Sequence, residues 1–166
     1  MPALRPMTDL EFNTWLADAV PAYAADKVAS GQWAADAALA LSQKEHDQLL
    51  PQGLQTEAHH LYNVVDAGGA VVGVLWFAVR TKFNARIAYV FNIDIWPVHQ
   101  RQGHGTRAFQ ALEGEVQRLG LTGMALHVFG HNTGAQALYA KLGFQPTNIS
   151  LFKAVGKIVS SPIGKE

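Results

Sequence analysis

The chain has 166 residues, 49% of them apolar, which suits one domain with a substantial buried core. Thirteen Lys and Arg offset thirteen Asp and Glu, so no summed positive field draws it to nucleic acid or to an anionic membrane surface. Cysteine is absent, which excludes disulfide staples, zinc-thiolate sites and a cysteine nucleophile.

In chain order, residues 4–7 read as a short first strand. Arg5, Asp9 and Glu11 interrupt any apolar run after Met1, so no secretory signal core is expected and the cytoplasm is the expected address. Thr8 with Glu11 three positions on forms a capping box that starts a helix running to Ser30-Gly31, with Phe12, Leu16, Ala19, Tyr23 and Val28 near one face. Pro21 is expected to kink that helix or divide it. A second helix is predicted over residues 33–50, with Leu39, Leu49 and Leu50 apolar and the Pro51 to Gly53 stretch as its stop.

From His59 the pattern turns to strands: residues 60–65, a turn at 66–69, then residues 70–80, together a hairpin. The longest apolar stretch, residues 71–79, is far short of the roughly 20 residues a spanning helix needs. Residues 86–96 form a further strand that ends at Pro97. A helix over residues 106–119 follows a glycine loop, with Ala108, Leu112, Val116 and Leu119 on its packing face. A strand at 124–129, a helix at 132–142 closed by Gly143, and two terminal strands within 144–155 complete the order. The result is an α/β fold, a mixed and mostly antiparallel sheet of about six to seven strands flanked by about four helices, forming one domain over residues 1–155 with a frayed tail at 156–166.

The chemistry concentrates where residues 93–105 carry a buried strand into a helix through two glycines. A helix N-terminus offers unpaired N–H groups and about half a positive charge to a phosphate, and glycine lets the backbone approach it. Gly103, Gly105 and Ala108 also fit a dinucleotide fingerprint, yet the acidic residue expected about 20 positions onward is missing, since the next strand leads into Val128, Phe129, Gly130 and His131. A Walker loop fails because no Gly-Lys-Ser/Thr follows.

Ile95, Pro97, Gln100, Gly103 and Gly105, in that order, resemble the loop of the GNAT superfamily of N-acetyltransferases. A second block, from Asn132 through Ala135 and Tyr139 to Gly143-Phe144, is similar to that family's Asn-x-x-Ala-x-x-x-Tyr-x-x-x-Gly-Phe segment. The strings at residues 50–54 and 126–132 look similar to a bacterial subgroup of uncharacterised acetyltransferases. The resemblance implies a GNAT-like acyl-CoA N-acyltransferase fold and acetyl-CoA as co-substrate. It implies a pyrophosphate held by the N–H groups from Gln102 to Thr106, with Gln100, Arg101, Gly103, His104 and Gly105 in the same loop. Pantetheine would lie beside the strand carrying Ile93 and Ile95, with Asn132 and Ala135 lining a gap to the next strand. Asn132 is equally an N-cap.

Tyr139 is the expected proton donor to the departing thiolate, whose thiol has a pKa of about 8.5; read without the motif it is a packed helix tyrosine. An amine acceptor with a pKa of about 10.4 must lose a proton first, so a base is required. Asn92 stands where the similar subgroup carries an acid, and an amide cannot serve. Glu57, His59 and His60 are candidates, and Asp94 or His127 acting through a water is preferred. Trp76, Phe77 and Val79 read as sheet core, while Trp15, Tyr23 and Trp33 read as core or acceptor-pocket wall. His127 and His131 lack helical geometry for a metal, so no metal is expected. The partners expected are a small-molecule or peptide amine, without nucleic acid or membrane, on a monomer or homodimer. A non-catalytic coenzyme A sensor and a nicotinamide-dependent oxidoreductase are the rival functions.

Overall fold

Three antiparallel pairings and one parallel pairing, in the order β1-β2-β3-β4-β5, build the sheet of this computed structural model, which describes residues 3–156. The strands are β1 (Leu4–Pro6), β2 (His59–Val65), β3 (Val71–Lys82), β4 (Ala85–Ile95) and β5 (Met124–Leu126), and the helices are α1 (Asp9–Ala29), α2 (Ala38–Leu49), α3 (His104–Arg118) and α4 (Thr133–Lys141). The chain falls into two compact units, Met1–Phe12 with Gln52–His127, and Asn13–Pro51 with Val128–Glu166.

In the first unit the turn between β2 and β3 closes on Asp66, whose Oδ1 accepts the N–H groups of Gly68 and Ala70, both at 2.9 Å. β3 is buried from Val72 to Ala78 and pairs along its length with β4. One face of the sheet presents His60, Tyr62 and Phe77 as a ring stack, with His60 and Phe77 centroids 4.7 Å apart. α3 packs on that face. It buries His104, Ala108, Phe109, Leu112 and Val116 and sets Glu115 beside Tyr62, so burial and then that carboxylate raise the phenol pKa.

The capping box forms as read: the Thr8 N–H donates to Glu11 at 2.9 Å, and the Glu11 N–H donates to Thr8 Oγ1 at 3.3 Å. Arg5 of β1 adds a two-pronged ion pair to Glu11 at 2.8 and 3.2 Å, and these bonds pull the carboxyl pKa down to about 2.

In the second unit α1 is one helix through Pro21, so the expected division does not occur. Proline forfeits one N–H, and the helical turns on either side of it suffice to carry the helix on. Ser42 of α2 donates to the Val20 carbonyl of α1 at 2.6 Å, and His46 meets Trp15 and Tyr23 edge-on. The buried face of α2 is therefore Ala38, Ser42 and His46, while Leu39 stands exposed. Its start is also later than expected, because residues 35–37 form a turn.

The strands expected within 144–155 are absent, and the sheet has five strands among the described residues. Ile149, Leu151, Phe152 and Val155 have the composition of strands, yet they are exposed and no ladder partner engages them. Of the expected tail, all but Gly156 lies outside the described residues.

Candidate active site

The central feature of the first unit is the behaviour of β4. Against β3 its register runs Tyr89 opposite Ala78 and Val90 opposite Phe77, then jumps to Asn92 opposite Trp76 and Asp94 opposite Val74, leaving Phe91 as the extra residue of a bulge. Against β5 only three pairs form, Ala88 with Met124, Tyr89 with Ala125 and Val90 with Leu126. Over residues 91–95, β3 is the only ladder partner of β4 among the described residues, and the edge turned away from β3 has lost its neighbour. Phe91 and His127 each follow directly on the last paired residue of their strand. β5 thus ends three residues earlier than expected, and its early end opens the gap.

Gly73 makes a close approach of β3 and β4 possible. A Cβ there would lie 2.2 Å from the Asp94 carbonyl oxygen and 3.0 Å from Ile95 Cα. The end of β4 is thereby pressed onto β3 just before the loop begins.

The loop itself is held from within. Ile95 leads through Trp96 into a short 3-10 turn, Pro97–His99, and the Gln100 side chain reaches back to donate to the Ile95 carbonyl at 2.8 Å. Arg101 takes a left-handed conformation, φ 61°, which costs a side-chain-bearing residue energy and is tolerated where the surroundings dictate it. Gly103, φ 80°, is the N-cap of α3 and supplies no side-chain cap. The first N–H groups of α3, those of His104, Gly105 and Thr106, are the groups a helix start leaves without an intrahelical partner. No acidic side chain occupies the first turn of α3. Gly105 lies inside α3 and takes no left-handed turn.

Arg107, which the sequence did not single out, braces this loop. Its Nη2 donates to the Gln102 carbonyl at 2.9 Å and to His104 Nδ1 at 3.0 Å. A guanidinium only donates, so buried His104 accepts at Nδ1 and carries its hydrogen on Nε2.

Of the base candidates, Asn92 and Asp94 share one face with Trp76 and Val74, while Ile93 and Ile95 take the other. Asp94 and His127 are exposed and Asn92 is half-buried. His59 is committed elsewhere: Trp76 Nε1 donates to its Nδ1 at 3.0 Å, which leaves hydrogen on Nε2. Burial, then the nearby Arg80 and His60, lowers its pKa and keeps it neutral. His60 sits in the ring stack and burial lowers its pKa as well. Glu57 is exposed in the turn before β2.

In the second unit Asn132 acts as the N-cap of α4, its Oδ1 accepting the Ala135 N–H at 3.2 Å, and Gln136 Nε2 donates to the Phe129 and Gly130 carbonyls at 3.2 and 3.0 Å. Tyr139 is half-buried, meets Phe144 edge-on at 5.7 Å, and burial raises its phenol pKa. At neutral pH it holds its proton. Trp15, Tyr23 and Trp33 are half-buried, Tyr23 edge-on to both Trp33 and His46, with Lys27 over the Tyr23 and Trp33 rings. Among the described residues no helix is long and apolar enough to cross a membrane, and no cluster of His, Asp or Glu is placed to hold a metal ion.

The chain is 32% identical over 150 residues to the uncharacterized N-acetyltransferase YycN of Bacillus subtilis, covering 90% of this chain and 96% of that protein. The crystal structure of that putative acetyltransferase superposes with a TM-score of 0.86 over 93% of this chain and 98% of the other. The uncharacterized N-acetyltransferase YdgE of the same organism is 29% identical over the same shares. At 18% identity and a TM-score of 0.59, covering 93% of this chain and 97% of the other, the fold also matches AAC(6')-Iy, solved in complex with the bisubstrate analogue CoA-S-monomethyl-acetylneamine. Residues 27–144 match the sequence profile of the acetyltransferase (GNAT) family, and with the strand parting and the α3 start inside that span the chain belongs to this family of acyltransferases.

Proposed function

We propose that the protein moves an acetyl group from acetyl-CoA to a primary amine by direct attack within a ternary complex. The observation that carries this reading is the loss of the β5 partner along residues 91–95 of β4, immediately ahead of the uncapped start of α3. A backbone edge followed by free N–H groups suits an amide-bearing arm that ends in a pyrophosphate. Acetyl-CoA supplies the activated acetyl group when bound.

The N–H groups from Gln102 to Thr106 would hold the pyrophosphate, with Gly103 and Gly105 allowing its approach and Gln100 and Arg107 keeping the loop in shape. Ile93 and Ile95 would line the pantetheine arm through their strand, and the family block adds Asn132 and Ala135, while Arg101 and His104 belong to the same loop. Tyr139, held protonated by burial, donates to the sulfur as the thiolate leaves. Asp94 or His127, through a water, takes the proton from the incoming ammonium.

AAC(6')-Iy binds an analogue that joins donor to acceptor, and such a ligand supports direct attack in this fold. The test is an acetyl-CoA turnover screen against a panel of amines with product masses read directly, beside thermal shift with acetyl-CoA, NAD and NADP. Acetylated amine and stabilisation by acetyl-CoA are expected. Stabilisation by NAD or NADP alone would overturn the reading, and acetyl-CoA binding with no product from any amine would leave a sensor.

A further inference from the structure

On the face of the sheet shared by Asn92 and Asp94, Trp76 and Phe91 stack with centroids 4.6 Å apart, His59 stacks on Phe91 at 5.8 Å, and Tyr89 meets Phe91 edge-on at 5.1 Å. Over this floor lies Arg80 of β3, its guanidinium carbon 4.7 Å from the Phe91 centroid and 5.2 Å from that of Tyr89. Lys82, two residues on and therefore on the same face, places its ammonium 5.2 Å from the Tyr89 ring. Both cations are exposed, and neither forms an ion pair with a carboxylate among the described residues. In a chain whose charges sum to zero overall, this is a local excess of positive charge.

Held over the Phe91 and Tyr89 rings, the guanidinium makes no hydrogen bond to a carboxylate among the described residues and keeps N–H donors available to a ligand. Those donors match an oxyanion in a two-pronged geometry, and the rings have already restricted the side chain that presents them. Phe91 is the bulge residue at which β4 parts from β5, so the ring beneath the cation belongs to the residue where the gap begins.

We propose that Arg80, with Lys82 beside it, is the specificity site for the acceptor, and that the acceptor is a short amine carrying an oxyanion, carboxylate or phosphate, a few bonds from its nitrogen. The inference rests on the acetyl-transfer reading above. An acceptor amine directed to the gap beside Phe91 sets its anion on Arg80. The same positive pair repels a polycationic acceptor such as the aminoglycoside moiety in the AAC(6')-Iy complex.

The test compares kcat/KM for glycylglycine, its C-terminal amide, aminoethyl phosphate and spermidine, within the wider amine screen, on wild type and on Arg80→Gln, Arg80→Lys and Arg80→Glu. Arg80 is exposed, so these variants should fold. Wild type should favour an oxyanion-bearing amine over the neutral amide by about 10- to 100-fold, the range of a hydrogen bond to a charged group. Arg80→Gln should bring that ratio close to one, mainly through KM; Arg80→Lys should keep part of it, and Arg80→Glu should shift preference to spermidine. The peptide and phosphate arms tell which oxyanion is read. An unchanged ratio in Arg80→Gln, a wild type that prefers spermidine, or turnover confined to amines outside the short anionic class would overturn this inference and leave acetyl transfer standing. No acetylation of any amine would overturn both.

Discussion

Replacing Gly73 by alanine puts a methyl group where β3 and β4 touch. The new Cβ would sit 2.2 Å from the Asp94 carbonyl oxygen, against a floor of 3.0 Å for real Cβ contacts, so the strands must separate there by at least 0.8 Å. The obstructing atoms include main chain of a paired strand, which cannot swing aside as the tip of a flexible side chain can. Overpacking of this kind costs about 1–3 kcal/mol. For a domain of this size that lowers Tm by about 2–12 °C. The displacement is directed at the site, because Ile95, paired with Gly73, presents the carbonyl that Gln100 Nε2 meets at 2.8 Å. The same 0.8 Å added to that bond exceeds hydrogen-bonding range, about 3.2 Å for N–H···O. Calorimetric unfolding should show the loss of stability, and titration with acetyl-CoA should show weaker binding in the folded variant. A Gly73→Ala protein with wild-type Tm and wild-type acetyl-CoA affinity would refute the argument.

Gly114→Ala should act in the opposite direction, since an added Cβ in mid-α3 meets nothing within 4 Å; a gain of about 0.5–1 kcal/mol is expected, read as a raised denaturation midpoint. Glu11 contributes through a carboxyl pKa lowered to about 2, mainly by Arg5, so its stabilisation is present above the ordinary carboxyl value of 4.5 and fades as pH falls toward 2. The stability gap between wild type and Glu11→Gln, measured by urea unfolding across that window, should close toward its acid end; a gap that holds constant would show that the ion pair has no such role. Tyr139→Phe should reduce acetyl transfer roughly 10²-fold or more with little change in coenzyme A affinity, and equal turnover would remove Tyr139 from the proposed mechanism. Gly105→Val places a branched side chain at the start of α3 and should abolish acetyl-CoA binding, a result lost if the folded variant titrates like wild type.

Much of this was legible because it is local. The Thr8 and Glu11 capping box and the Asp66 turn each depend on residues within a few positions of one another, and each formed; α3 follows the glycine loop as read but begins at His104 rather than Thr106, so of the two glycines only Gly103 stands ahead of it. What escaped depends on partners distant in sequence. Gly73 is an unexceptional strand glycine until Asp94 is known to lie across from it. Phe91 ends an unbroken apolar and aromatic run from Ile87, which offers no alternation against which an extra residue would show, so the bulge was invisible. The end of β5 at Leu126 is a property of pairing with Val90 rather than of composition, and residues 144–155 show the converse, strand-like residues without a ladder. Arg107 carries no motif, although its place three residues after His104, one turn up the same helix face, was a usable hint. At Pro21 the division allowed for in the sequence does not occur, since helix continues on either side of it.

The extra residue at Phe91 also divides β4 into two stretches that run out of phase with each other. Before it, Tyr89 faces the side of Ala78; after it, Asn92 and Asp94 return to that same side, although simple alternation from Tyr89 would have sent them to the opposite one. With the bulge kept at Phe91, removing any one residue between it and Ile95 would exchange the faces of everything that follows the cut. This stretch should therefore reject a change of length even where every remaining side chain is kept. Such a strand behaves like a reading frame, in which the count of residues, more than their identity, decides which side chains the acceptor and donor meet.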